Sequence, residues 1–328
     1  MSLSLRLLLT GCAGFIGATV ADRLLADGHT VVGIDNLNAA YDTRLKEWRL
    51  GQLRGRRGFT FHRLDIGDGR DVETTVGGEP FDAVINLAAR AGVRQSVLDP
   101  WVYEHTNVRG TLNLLEFCRA RSVAKFVLAS TSSLYGAANP RPFREDADTD
   151  HPLSPYAATK KAAEVLAHTY HHLHGLDVTV VRYFTVYGPA GRPDMSIFRF
   201  IQWISEDRPV VVYGDGTEER DFTYVEDIAR GTVAGLRPVG YEIINLGSDH
   251  PVQVNEAIRV VEDLVGRKAR RVSSDRHPAD IRATWADIGK AKRLLEWSPQ
   301  TDFPAGVARA VEWYRANRAW AKDIETGT

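Results

Sequence analysis

The sequence predicts an α/β fold: a doubly wound parallel sheet with a smaller, interleaved α/β domain. Three observations carry this reading. Apolar strand-like runs alternate with helical stretches as far as Arg182, the rhythm of a parallel sheet. Gly11, Gly14 and Gly17 stand directly between the first strand-like run and the first helical one. Asp35 closes the second strand-like run, 18 residues beyond Gly17.

Leu5 to Leu9 is an unbroken apolar run and reads as the first strand; Phe15 to Asp27 reads as the helix after it. Further strands are predicted over Thr30–Asp35, Phe59–Leu64, Ala83–Leu87, Lys125–Ala129 and Asp177–Arg182. Long helices are predicted over Pro100–Ala120 and Ser154–His174. Beyond Arg182 the rhythm loosens, and Pro and Gly mark loops over Gly188–Asp194 and Gly214–Gly216. A helix over Ser196–Glu206 and a strand over Pro209–Tyr213 lie between those loops. Glu242–Leu246 reads as a strand returning to the first sheet. Helices follow near Asn255–Val265, Asp287–Leu295 and Pro304–Asn317.

The chain has 328 residues, enough for about two domains. We expect a dinucleotide-binding domain over 1–182, with a return segment at about 222–246, and a second domain over 183–221 and 247–328. The cleft between them is the expected ligand site. Lys plus Arg is 41 against 42 Asp plus Glu, a net charge of −1. That balance argues against nucleic acid or an anionic membrane as the main partner. The two cysteines, Cys12 and Cys118, make neither a disulfide framework nor a zinc site, so a cytoplasmic setting is expected. No apolar run approaches the ~18 residues of a membrane span, and Arg6 interrupts the one N-terminal stretch that resembles a leader.

The glycine spacing is G-x-x-G-x-x-G. One glycine permits the tight turn, one lets a pyrophosphate approach the backbone, and one permits close helix–strand packing, as in Rossmann folds. The helix N-terminus adds unpaired N–H groups for the phosphates. A carboxylate at Asp35 accepts hydrogen bonds from the adenosine ribose and repels a 2′-phosphate, which favours NAD over NADP.

Tyr156 and Lys160 lie four apart on a predicted helix and share one face. A phenol is a poor base at neutral pH, but a neighbouring ammonium favours phenolate. Tyr156 is therefore a candidate base for a sugar or alcohol hydroxyl. Upstream, Ser130-Thr131-Ser132-Ser133 follows a strand, where hydroxyls face the cleft of a doubly wound sheet. His168, His171, His172 and His174 cluster on the same helix as Tyr156; with no carboxylate or thiolate in ligand spacing they read as a solvated face, and no metal site is expected.

Together, the glycine loop, Asp35, the hydroxyl run and the Tyr156–Lys160 pair resemble the extended short-chain dehydrogenase/reductase family over nearly the whole chain. Ala91-Gly92-Val93-Arg94, Arg182 to Pro189, Gly191 to Met195, Gly214-Asp215-Gly216, Arg220-Asp221-Phe222 and Thr284 to Asp287 are most similar to the UDP-glucuronate 4-epimerases within it. The resemblance implies a redox cycle without net redox. Tyr156, with Thr131 bridging, takes the proton of the sugar O4; NAD takes the C4 hydride and returns it to the other face of the 4-keto sugar. Lys160 holds the cofactor ribose and lowers the Tyr156 pKa. The positions implied for NAD are Gly11, Gly14, Phe15, Ile16, Gly17, Asp35, Asn36, Asn38, Asp65, Ile66, Leu87, Ala88, Ala89, Asn107, Tyr156, Lys160 and Tyr183. Those implied for the UDP-sugar are Arg94, Thr131, Ser132, Ser133, Thr185, Arg192, Val211, Tyr213, Arg220 and Asp280. A homodimer is implied, paired through the two long helices.

Related 4,6-dehydratases carry Asp-Glu at Ser132-Ser133, and related decarboxylases carry Glu at Ser133. Hydroxyls there remove the acid–base groups those reactions need and can donate to a C5 carboxylate. A 4-keto uronate is a β-keto acid, so an epimerase must hold the carboxylate out of line with the ketone; Thr131, Ser132, Ser133, Thr185 and Arg192 are candidates. Asn86, Arg90 and Pro278-Ala279-Asp280 depart from the family's usual His, Gln and Pro-Gly-Asp, and His277 stands where several relatives have a phosphate-binding Arg. The competing readings are a 4-epimerase of neutral UDP-hexoses, a net oxidoreductase, and a non-catalytic NAD-binding protein on the same fold.

Overall fold

The structure, a computed structural model, describes residues 4–275 and 281–327. Its strands are β1 (Arg6–Thr10), β2 (Thr30–Ile34), β3 (Phe59–His62), β4 (Ala83–Asn86), β5 (Lys125–Thr131), β6 (Asp177–Tyr183), β7 (Thr185–Tyr187), β8 (Val210–Tyr213), β9 (Glu219–Tyr224), β10 (Tyr241–Leu246), β11 (Pro251–Gln253) and β12 (Arg271–Ser274). The helices are α1 (Phe15–Ala26), α2 (Thr43–Leu53), α3 (Gly69–Val76), α4 (Val93–Leu98), α5 (Pro100–Tyr103), α6 (Gly110–Arg121), α7 (Pro155–His174), α8 (Ser196–Ser205), α9 (Val225–Ala234), α10 (Val254–Val265), α11 (Gly289–Leu295) and α12 (Phe303–Ala321). A π-helical turn, Glu104–Arg109, joins α5 to α6, and a 3₁₀ turn, Ser132–Tyr135, follows β5.

Seven parallel strands form the main sheet in the order β10-β6-β5-β4-β1-β2-β3. Every residue of β4 and β5 is buried, because helices cover both faces of a parallel sheet. The pleat sends Leu7 and Leu9 into one core with Val20 and Leu24 of α1, and Leu8 into the other with Val72 of α3 and Leu114 of α6. The order reverses at β1 and β4, the switch point where doubly wound sheets bind ligands.

A third core gathers α8, α10, α12, β8 and β9 around Phe198, Phe222, Ile258 and Tyr314. A three-stranded sheet, β11-β9-β7, and a two-stranded pair, β12-β8, belong to this region. Leu45 of α2 enters the same core, with Tyr41 and Trp48 packed against it. Asp221 ties β9 to the turn after β10: it accepts from the backbone N–H of Ser248 and from that of Ala286 at 3.0 Å.

The predicted long helix over Pro100–Ala120 is interrupted by the π turn, which carries Asn107. The helix expected over Ser154–His174 has the predicted position. Ser154 caps it by accepting from Ala157 N–H at 3.2 Å, Pro155 fills the first turn, and Gly175 ends it at φ 68°. The sequence pattern does not mark α2, α3, α4 or α9, nor the short strands β7, β9, β11 and β12. Among the described residues no helix is long and apolar enough to cross a membrane.

Candidate active site

A cleft of about 620 Å³ opens at the C-terminal ends of β1, β2, β4, β5 and β6. Of the site residues expected from sequence, all except Asn107 and Asp280 line it. Asp280, like His277, lies outside the described residues. Asn107 is buried directly behind the residues that line the cleft. Its amide accepts from Arg90 N–H at 2.9 Å and donates to Arg90 O at 3.0 Å and Thr159 Oγ1 at 3.1 Å. The π turn brings that amide to the loop after β4, a common placement of π bulges near functional sites.

The glycine loop meets the requirements of a pyrophosphate cradle. Gly11 has φ +70°, and a Cβ there would lie 2.7 Å from Ala88 N, so neither the turn nor the approach of the two loops admits a side chain. A Cβ on Gly17 would overlap the Gly11 carbonyl. Helix α1 begins at Gly14 with no side-chain cap, so its first N–H groups point into the cleft for an anion. These features fit a bound dinucleotide.

Asp35 is buried and fixed. It accepts from Ala13 N–H at 3.2 Å and Leu37 N–H at 2.8 Å, and lies 3.5 Å from Lys46 Nζ. Lys46 Nζ and Arg90 Nη1 both donate to Asn38 Oδ1, each at 3.2 Å. Sequence reasoning missed Lys46, since the charged stretch of α2 shows no clear apolar stripe. The available signal was Asp42, which caps α2 through Arg44 N–H. Arg90 was noted only as a departure; the structure turns it toward Asn38 at the dinucleotide end. The Asn86 departure is absorbed in a neutral network. Thr10 Oγ1 donates to Asn86 Oδ1 at 2.7 Å, Asn86 Nδ2 donates to Thr111 Oγ1 at 3.1 Å, and Thr10 Oγ1 accepts from Ala88 N–H at 3.2 Å.

At the reacting end, α7 presents Tyr156 and Lys160 to the cleft, and β5 presents Thr131. Thr131 Oγ1 accepts from Ser133 N–H at 3.1 Å and donates to Ser133 Oγ at 3.2 Å, which gathers the hydroxyls into one cluster. The Tyr103 ring packs edge-on against Tyr156 at 6.2 Å. Burial raises the Tyr156 pKa; the Thr131 hydroxyl and the Arg192 guanidinium oppose that rise. The Arg192 guanidinium is thus a cation beside the Tyr156 phenol that the sequence pattern does not reveal. Burial lowers Lys160 itself to about 8, and the Glu164 carboxylate opposes this.

Arg192 is held by Asp194, with Nε–Oδ1 at 3.1 Å and Nη2–Oδ2 at 2.6 Å, a two-point geometry that fixes the guanidinium plane. Sequence reasoning did not assign Asp194. Arg94 stacks on the Tyr213 ring at 4.1 Å. Arg220 is aimed by its bonds to Glu219 O and Arg282 O, at 2.8 and 3.1 Å. Away from the cleft, His168 and His171 pack on the Tyr241 ring rather than standing wholly in solvent.

Residues 7–247 match the NAD dependent epimerase/dehydratase family. The chain is 55% identical over 319 residues to a UDP-glucuronate 4-epimerase from Thermodesulfobacterium geofontis (strain OPF15), covering 97% of this chain and 98% of that protein. The crystal structure of UDP-glucuronic acid 4-epimerase from Bacillus cereus, in complex with UDP-glucuronic acid and NAD, superposes with a TM-score of 0.89 at 36% identity, over 95% of this chain and 100% of that one. A UDP-glucose 4-epimerase from Thermotoga maritima, solved with UDP-glucose, gives 0.88 at 30% identity, over 96% and 100%. With its glycine cradle, its Thr131–Tyr156–Lys160 group and its full-length matches, the chain belongs to the NAD-dependent epimerase/dehydratase family.

Proposed function

We propose that this chain is a 4-epimerase of a UDP-hexuronate, interconverting UDP-glucuronate and UDP-galacturonate through a transient 4-keto sugar. The observation that carries the reading is one cleft that joins Thr131 and Tyr156 to a carboxylate-sized set of donors, Ser132, Ser133, Thr185 and Arg192. The Thermodesulfobacterium geofontis and Bacillus cereus relatives named above support the same substrate. NAD, when bound, supplies reversible hydride transfer at the sugar C4.

The chain's own residues do the rest. The α1 N-terminus and glycine loop would hold the pyrophosphate, Lys46 and Arg90 stand with Asp35 and Asn38 at the dinucleotide end, and Lys160 would hold the nicotinamide ribose. Tyr156 takes the C4 hydroxyl proton and later returns it; Thr131 and Arg192 favour the phenolate it needs. Ser132 and Ser133 are neutral donors, so no general acid or base stands at C5 or C6. Arg192 and the hydroxyls hold the C5 carboxylate away from the ketone π system. The uridine diphosphate lies toward Val211, Tyr213 and Arg220 on the far wall.

We read residues 1–182 with about 222–246 as the cofactor-binding part and 183–221 with 247–328 as the sugar-nucleotide part; the seven-stranded sheet and the third core support that division, except that Ala286, Ile288, Ala291, Leu295 and Trp297 pack into the core of the main sheet with Leu7 and Leu9. Cys12 and Cys118 are buried free thiols whose pKa values burial raises, which suits a reducing cytoplasm. Exposed Leu98, Trp101, Leu112, Val165 and Leu173 on α4 to α7 support a homodimer formed across these helices.

Three outcomes follow from this reading. NMR of purified protein mixed with UDP-glucuronate and no added cofactor shows UDP-galacturonate forming; Tyr156→Phe slows it by about 10²–10⁴-fold, the range for a lost acid–base group. Ser132→Ala combined with Ser133→Ala raises CO₂ release relative to epimerisation, measured by trapping labelled CO₂; unchanged partitioning would remove these hydroxyls from carboxylate control. Sedimentation gives a two-chain particle, and Trp101→Ser with Val165→Glu shifts it to one chain; an unshifted particle places the interface elsewhere.

A further inference from the structure

Beneath the reacting centre lies a buried polar network that the proposed mechanism does not use. Glu164, one turn beyond Lys160 on α7, is paired at both oxygens with Arg182 of β6: Nε–Oε1 is 2.9 Å and Nη2–Oε2 is 2.7 Å. Their side chains are 3% and 2% exposed. Glu164 Oε1 also accepts from Ser130 Oγ at 2.5 Å. Arg182 Nη1 donates to Tyr135 Oη at 3.0 Å, and Tyr135 Oη donates to Asn245 Oδ1 of β10 at 2.6 Å.

Three of its members are close neighbours of site residues. Ser130 precedes Thr131, Arg182 precedes Tyr183, and Glu164 follows Lys160 by one helical turn. Stability alone does not account for such a pair, because replacing a buried ion pair by apolar groups of similar volume is often neutral or stabilising. Among the described residues no carboxylate pairs directly with Lys160, and the charge acting on it is that of Glu164. The other groups at this end of the cleft are Tyr156 on α7, Tyr103 on α5, Tyr183 on β6 and Arg192 across the opening. On the π turn packed against α7, Glu104 and Arg109 are exposed and His105 turns toward Asp65 at 3.7 Å.

We propose that Glu164 is a positioning residue for the reaction: locked by Arg182 and Ser130, it fixes the turn of α7 that carries Tyr156 and Lys160 and supplies the counter-charge beneath Lys160. This rests on the epimerase reading for its kinetic consequence, but not for its electrostatic one. Burial favours the neutral amine and Glu164 opposes it. Without that carboxylate, Lys160 loses its proton at lower pH, and the alkaline limb of the rate profile moves down.

The test compares wild type, Glu164→Gln, and Glu164→Gln with Arg182→Met, each as the NAD-loaded full chain. In Glu164→Gln the alkaline limb of UDP-glucuronate epimerisation moves down by about one pH unit, a loss of about tenfold on that limb, with little change on the acid side. The double variant removes the orphaned guanidinium; it regains thermal stability but keeps the shifted limb. Side-chain NMR of ¹⁵N-labelled lysine, assigned with Lys160→Met, follows the same titration without substrate. A wild type inactive on UDP-glucuronate would sink the epimerase reading and leave the NMR result standing. A Lys160 titration unchanged in both Glu164 variants, or a double variant with the wild-type limb, would overturn the proposal and leave the pair a structural one.

Discussion

The contact between the Gly11 carbonyl and Gly17 is the constraint on which the site depends. With no room for a Cβ at either glycine, α1 starts tight against the end of β1, and its uncapped N-terminus faces the switch point between β1 and β4. The loop after β4 then closes to within van der Waals distance of Gly11. Asn107 holds that loop from behind through the Arg90 backbone, and the π turn exists in the α5–α6 helix at the place where this is needed. Two glycines and one irregular turn thus set the floor on which the dinucleotide is expected to lie.

The other end of the cleft is governed by charge kept out of water. Burial works against both the phenolate of Tyr156 and the ammonium of Lys160, and the structure answers each with one remote group of opposite sign. Arg192 acts on Tyr156 and Glu164 acts on Lys160. Both are clamped at two points, by Asp194 and by Arg182, so neither can swing away when the sugar turns. Rigid charges placed this way stabilise developing charge without rearranging during the reaction.

Much of this was legible in the sequence where chemistry and local geometry coincide. The G-x-x-G-x-x-G spacing, Asp35 at a strand end, the hydroxyls at the end of β5 and the four-residue step from Tyr156 to Lys160 each carry their own structural context. What sequence reading missed is held by long-range packing. Lys46 reaches the cleft because α2 leans on the third core through Leu45, which no local periodicity displays. Arg192 acts on Tyr156 across 36 residues of chain, a separation at which no local pattern displays the pairing. The π turn leaves no mark on the residue pattern, so the burial of Asn107 behind the lining is not visible there. Asn86 and Arg90 were visible as departures, but their roles depend on partners in β1, α6 and the loop after β2.

NAD held by the glycine loop and Lys160 would supply reversible hydride transfer, so the hydrogen at C4 would leave and return within one closed site. The most direct measurement is epimerisation of UDP-glucuronate deuterated at C4, in ordinary water, followed by mass spectrometry and NMR of the product. The account predicts UDP-galacturonate that retains its deuterium at C4, with no accumulation of keto sugar. Loss of the label to solvent, or its transfer to unlabelled sugar in a mixed experiment, would contradict it.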